Sequence, residues 1–204
     1  GAVTIACAAA LARRAGETFD RDTLVRQAVD TIREVQGAGS GADAAASAYG
    51  GAVCYRREGC RTEPVPVPPG WTVVYSGSKK KTAEVLHIVR AFRERHPGQV
   101  QALYRLMHEC AEAAVSSFAA GDWARAGEQM NFYHGLLEAL GVCHAPLAAI
   151  VHALRETPGV LGAKLSGAGL GDCAVGLGTA ERWNGPGERL DVGIAAEGMR
   201  YESD

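Results

Sequence analysis

No run of apolar residues in this 204-residue chain approaches the roughly 20 that span a bilayer, so a membrane-spanning helix is not expected. Nor does either charge sign dominate: 21 Lys and Arg stand against 23 Asp and Glu, a formal net charge of -2, with both signs mixed along the length. Without a broad basic face, neither nucleic acid nor anionic lipid is expected as a partner. The six cysteines (Cys7, Cys54, Cys60, Cys110, Cys143, Cys173) include no C-x-x-C pair. A chain this size needs no bridges, so they read as reduced thiols of a cytoplasmic protein. The histidines show neither H-E-x-x-H nor any paired ligand spacing, which argues against a zinc site. Internal repeats and long low-complexity tracts are also missing. What the chain does have is apolar content, 47%, enough for one substantial core or two modest ones.

The opening AVTIACAAALARRAG is unlike a signal peptide, because its basic residues follow the apolar part, and it reads as a buried helix over 2–12. A helix that starts with no cap and no preceding loop leads us to expect a chain that begins in mid-domain. FDRDTLVRQAVDTIREVQ carries Leu24, Val25, Ala28, Val29 and Ile32 at helical spacing, and GAGSG breaks it. DAAASAYGG predicts a short helix starting near Asp43 and stopped by Gly50 and Gly51, with AVCYRR a strand after it. The prolines of TEPVPVPPG, residues 62–70, forbid helix continuation and central-strand pairing, so a junction is placed there, dividing the chain into domains 1–66 and 67–204. Beyond it come a strand (WTVVYSG), helices near 80–95, 99–119, 122–140 and 145–156, then strand-like runs GVLGAKLSG, DCAVGLG and RLDVGIAA. That order predicts an α+β layer with helices on one face of a mainly antiparallel sheet.

Three stretches can carry chemistry. SGAGLGDC, 166–173, lies between two predicted strands, and its glycines allow either an ordinary tight turn or a backbone cradle for a phosphate. It fails the dinucleotide template, because a strand and not a helix follows it. Asp43 is the one carboxylate in QGAGSGADAAASAYGG. It is either an N-cap or a catalytic acid kept approachable by small neighbours, and the two readings are compatible. SGSKKKTAEV, 76–85, sets Lys79, Lys80 and Lys81 at a helix start, where cations are mildly unfavourable, so they read as a solvated face or as groups facing an anion. Thr82 is a candidate cap or ligand contact there.

Taken together, GAGSGADAAASAYGG, MNFYHGLLEALGV (130–142) and GAKLSGAGLGDCAVGL resemble, in order, three motifs from the second half of a GHMP-superfamily small-molecule kinase, most like the mevalonate kinases. The resemblance covers nearly the whole chain. It implies a two-domain α+β fold, with the remnant of a ribosomal protein S5 domain 2-like N-terminal domain and a ferredoxin-like C-terminal domain. It also implies ATP and Mg2+ as cofactors and transfer of phosphate to the primary hydroxyl of mevalonate in isoprenoid precursor synthesis. By the same resemblance Asp43 orients or deprotonates the acceptor hydroxyl, and Gly167, Ala168, Gly169 and Gly171 support the nucleotide phosphates. Ser40, Gly41, Thr82 and His134 fall near the substrate, and Glu34 is the candidate magnesium ligand, although it stands nearer Asp43 than the family's usual spacing.

The chain departs from the family in three ways. GSGAD replaces the usual P-S-G-x-D, and LGDC ends the late loop where glycines are expected; both features are similar to phosphomevalonate kinases, so phosphomevalonate is the alternative acceptor. Tyr133 and His134 stand where asparagine and glutamine are usual. The family's early lysine and its main phosphate loop are expected upstream of Gly1, so this polypeptide alone is not expected to turn over. A non-catalytic relative that binds a metabolite or a partner chain is the rival from another class. The oligomeric state is left open, a homodimer included.

Overall fold

The structure, a computed structural model, describes residues 1–17, 19–37 and 39–201. In chain order it contains α1 (Ala2–Arg14), α2 (Arg21–Gln36), α3 (Ala42–Tyr49), β1 (Ala52–Arg56), a short 3-10 turn, β2 (Arg61–Val65), β3 (Trp71–Tyr75), α4 (Thr82–Arg95), α5 (Pro97–Ala120), α6 (Trp123–Ala139), α7 (Ala145–Glu156), β4 (Val160–Leu165), β5 (Cys173–Gly178) and β6 (Glu188–Leu190). No described helix is long and apolar enough to cross a membrane. The chain forms two compact units, one of residues 1–67 with the stretch from Ile194, the other of residues 68–193.

In the first unit, α2 starts where Asp20 accepts the Thr23 N–H at 2.7 Å and ends at Gly37 with φ 70°. Its buried stripe, Leu24, Val25, Ala28, Val29 and Ile32, packs with Ile5 and Ala9 of α1 and with Ala44, Ala45 and Ala48 of α3. Alanine along the buried side of α3 lets three helix backbones approach closely with little side chain between them. The Tyr49 hydroxyl donates to Asp22 at 2.6 Å, pinning the end of α3 to the start of α2.

The proline-rich run is not wholly irregular. Residues 61–65 form β2, paired antiparallel to β1 with Pro64 opposite Val53. In a two-stranded hairpin every strand has a free edge, and a proline, having no N–H to give, fits there. The end of the chain also differs from expectation: the RLDVGIAA strand stops at Leu190, and the stretch from Ile194 belongs to the first unit instead of closing the second. It is held by Gly51 N–H to the Ala195 carbonyl at 2.7 Å, Met199 N–H to the Ser47 carbonyl at 2.9 Å and the Tyr201 hydroxyl to the Ala9 carbonyl at 3.1 Å. A Cβ on Gly198 would run into the Ala48 carbonyl, so glycine is required at that crossing.

The second unit is built on an antiparallel sheet of order β4-β5-β3-β6. Ala163 and Leu165 of β4, Ala174 of β5 and Val74 of β3 share one face, which packs against Leu147, Ile150 and Leu154 of α7. Val85 of α4, Val100 and Met107 of α5 and Leu136 and Leu137 of α6 belong to the same core cluster. On the opposite face Leu177, with Trp71 and Val175, meets Ala126 and Met130 of α6, which runs along the outer edge of β4. The N–H of Ala163 donates to Asn131 Oδ1 at 2.9 Å and that of Leu165 to His134 Nδ1 at 3.3 Å. The outward carbonyl of Ala163 accepts from Arg155 Nη2 at 3.1 Å, and that of Leu165 from Lys164 Nζ at 2.7 Å. Side chains thus complete the edge that a fifth strand would otherwise occupy. Gly127 and Gly162 make this contact possible, since a Cβ on either would strike the other's backbone carbonyl or its neighbours.

Candidate functional site

Candidate residues occur in both units, each group within its own. In the second, the loop between β4 and β5 extends the sheet ladder beyond its ends: Ser166 N–H bonds the Cys173 carbonyl at 2.8 Å and Ser76 N–H the Asp172 carbonyl at 2.9 Å. Asp172 N–H in turn bonds the Ser78 carbonyl at 2.6 Å, and Leu170 N–H the Val142 carbonyl at 2.7 Å. The backbone is left-handed at Gly167, Gly169, Leu170, Gly171 and Asp172. Packing explains two of the glycines, because a Cβ on Gly169 would run into the Val142 carbonyl and one on Gly171 would stand 3.0 Å from the Ser78 carbonyl oxygen. It does not explain the donors: the N–H groups of Gly167, Ala168, Gly169 and Gly171 find no acceptor among the described residues. A turn needs no such set, whereas an anion does.

The lysine run sits beside this loop. Lys79 Nζ lies 3.2 Å from Asp172 Oδ2, both side chains being substantially exposed. Ser78 Oγ is 3.3 Å from His144 Nε2, at the start of α7. Thr82 does not cap α4: it is the first helical residue, the cap position is Lys81, and no side chain bonds that helix end.

In the first unit, the N-cap of α3 is Gly41 with φ 95°. Asp43 is therefore not the cap; it lies in the first turn, 65% exposed, with Oδ2 3.1 Å from the Gly1 nitrogen at the start of α1. Helix N-terminal N–H groups favour a carboxylate, so the placement is electrostatically sound. The small residues around Asp43 divide by side: Ala44, Ala45 and Ala48 are buried between helices, while Ala42 and Ala46 leave the outer flank open. Gly41 itself is buried under the Tyr55 hydroxyl and the Val29 side chain, either of which a Cβ would meet at 2.5 Å, so glycine is required where the chain turns into α3. Ser40 is exposed, its hydroxyl accepting the Ala42 N–H at 3.3 Å. Glu34 is exposed near the end of α2, and among the described residues no group of three potential metal donors includes it or Asp43.

His134, expected near the substrate, is buried beside the β4 edge. It is 0% exposed and spends Nδ1 on the β4 edge. Accepting there puts the ring proton on Nε2, which lies 3.4 Å from Glu138 Oε1. Burial pushes its pKa down to about 4, against a smaller upward pull from Glu138. Glu138 and Cys143 stand close enough to His134 for the three to hold a metal. The proton on Nε2 occupies the lone pair a metal would need, and burial raises the Cys143 thiol to about 11, so neither His134 nor Cys143 is poised as a metal ligand. The signal for its structural role was present in the sequence: Asn131 and His134 stand three apart and so share one face of the helix, with Met130 and Leu137 nearby on it.

Residues 88–182 match the family model described as GHMP kinases C terminal. The chain is 34% identical over 200 residues to the mevalonate kinase of Pyrococcus horikoshii, a match covering 95% of this chain and 57% of that protein. The chain carries the C-terminal domain of the GHMP kinases. Among solved structures, L. major mevalonate kinase in complex with R-mevalonate is similar with a TM-score of 0.72 and 30% identity, covering 88% of this chain and 56% of that one. Streptococcus pneumoniae phosphomevalonate kinase shares the fold, with a TM-score of 0.67 and 19% identity over 83% of this chain and 57% of that one. The chain thus spans a little over half the length of the relatives it matches.

Proposed function

We propose that the whole protein carrying this chain transfers the γ-phosphoryl group of ATP to the primary hydroxyl of mevalonate. The reading rests first on the four unengaged N–H groups of the glycine loop, which suit phosphate oxygens, and is supported by the names of the relatives at 30% identity and above. Gly167, Ala168, Gly169 and Gly171 receive the nucleotide phosphates. Asp43 holds the acceptor hydroxyl and takes its proton as the oxygen–phosphorus bond forms and the bond to the departing ADP breaks. Such a transfer needs alignment and electrostatic support more than covalent help from the protein. Ser40 and Thr82, both exposed in their own units, are the polar groups assigned to the substrate. Among the described residues no cluster of carboxylates is brought together, so no step is assigned to a metal here. In family terms the first unit corresponds to the S5 domain 2-like part and the second to the ferredoxin-like part.

Asp43→Asn in the whole protein is expected to lower kcat by several orders of magnitude while the affinity for ATP stays within about threefold. Near-normal turnover would remove the catalytic role. A second reading, phosphomevalonate as acceptor, is favoured by Asp172 in the loop and by the lysine run 79–81. Offering both acceptors and following ADP release separates the two. ATP binding with no turnover of either acceptor would point to a metabolite-binding relative.

A further inference from the structure

Asp172 is a departure that the phosphate-binding reading does not use. It takes φ 67°, a left-handed conformation that ordinarily favours glycine, and so bears backbone strain for carrying a side chain. Its backbone does not need that side chain, because the N–H to Ser78 and the carbonyl from Ser76 would remain in a glycine. The carboxylate makes one ion pair, to Lys79, the first lysine of the run. It also places a negative charge next to Gly171, whose N–H is one of the unengaged donors. A loop whose donors are open to an anion thus carries an anion of its own, and that anion occupies the nearest cation.

We propose that Asp172 sets the affinity of this loop for phosphate: it holds Lys79 while the loop is empty and yields it to an incoming phosphate group. The inference rests on the phosphate-binding reading of the loop. The groups in contact at this spot are Asp172, Lys79 and the Cys173 thiol, which lies 3.6 Å from Asp172 Oδ1, with His144 Nε2 3.3 Å from Ser78 Oγ; Lys80 and Lys81 follow in the chain, exposed and with no ion pair among the described residues. A bound triphosphate is repelled by Asp172 and must draw Lys79 away from it. Both effects weaken binding and accelerate release of a nucleotide product. The pair is solvent-exposed, so it exchanges partners without the penalty that opening a buried ion pair would carry.

The test is calorimetric titration of ATP into the whole protein and its variants at low and high ionic strength. Asp172→Asn and Asp172→Gly both accept a left-handed backbone and should each tighten ATP roughly threefold to tenfold at low salt, the gain fading as salt screens the charge. Lys79→Met should weaken binding more in the Asp172→Asn background than in the wild type, because only there is the lysine free before the ligand arrives. Unchanged or weaker binding in both Asp172 variants, with ATP still bound by the wild type, would overturn this proposal alone. Failure of every form to bind ATP would bring down the phosphate-binding reading together with it.

Discussion

Replacing His134 by leucine tests the edge-sealing arrangement most directly. The side chain is 0% exposed, and its Nδ1 is the acceptor for the Leu165 N–H at 3.3 Å. Leucine fills similar space, so little cavity is made, but the Leu165 N–H is left buried without a partner, at a cost of roughly 1–3 kcal/mol. Part of that is offset, because Nε2 is itself buried without an acceptor in hydrogen-bond geometry and leucine removes it. The net expectation is a loss of about 1–2 kcal/mol for His134→Leu and less than about 1 kcal/mol for His134→Gln, whose amide oxygen can still accept. A second signature follows from the titration. The folded-state pKa is about 4 against an ordinary value of 6.5, so between these values the unfolded chain binds a proton that the folded chain refuses. Stability from this residue is complete above the unfolded pKa and is lost as pH falls toward 4, at no more than ~1.4 kcal/mol per pH unit. Both variants abolish that contribution. Urea unfolding of wild type and variants near neutrality and at about pH 5 reads both effects, the acid-side difference between proteins isolating His134 from the carboxylates. A leucine variant as stable as wild type near neutrality, or one that keeps the full acid-side slope, would refute the account.

Gly162→Ala should force α6 away from the β4 edge, because its Cβ would run into the Gly127 carbonyl. A loss on the order of 3 kcal/mol is expected in thermal unfolding, and a variant within experimental error of wild type would contradict the close approach. Thr72→Val removes a buried hydroxyl that donates to the Gly178 carbonyl at 2.9 Å and accepts from the Ala180 N–H at 2.8 Å. The two groups left unpaired should cost about 2 kcal/mol, with faster amide exchange at Ala180 as the local readout. Tyr49→Phe deletes the bond to Asp22 and should destabilise by about 1 kcal/mol in denaturant; Asp22→Asn in the same background should then add little.

The helices were legible because each carries its own period and punctuation. The α2 stripe from Leu24 to Ile32 is buried as its spacing requires, between an aspartate cap and a left-handed glycine. The central strands were legible as short apolar runs bounded by glycine. The hairpin strand β2 was not, because its prolines argue against a strand unless its partner leaves an edge open, and pairing is not a local property. The departure of residue 194 onward from the last strand was hidden for a related reason: Val192 and Ile194 read as strand residues, yet both are exposed, and what fixes the following segment is a set of bonds to α1 and α3 residues. In the candidate site, the residue types of the glycine loop and of Asp43 were visible in the sequence. Which loop N–H groups remain unengaged, that Gly41 caps α3 in place of Asp43, and that Asp172 holds Lys79 were not.

Spacing and composition determined where the helices run, since that depends on neighbours along the chain, and the family entered through the resemblance of three ordered motifs. Tertiary structure decided the roles that depend on neighbours in space. Folding made the buried His134 the acceptor for a sheet edge, and backbone approach made Gly127, Gly162 and Gly169 obligatory. A hydrogen bond or a steric limit belongs to a pair of groups, and the sequence names the groups without saying which of them meet.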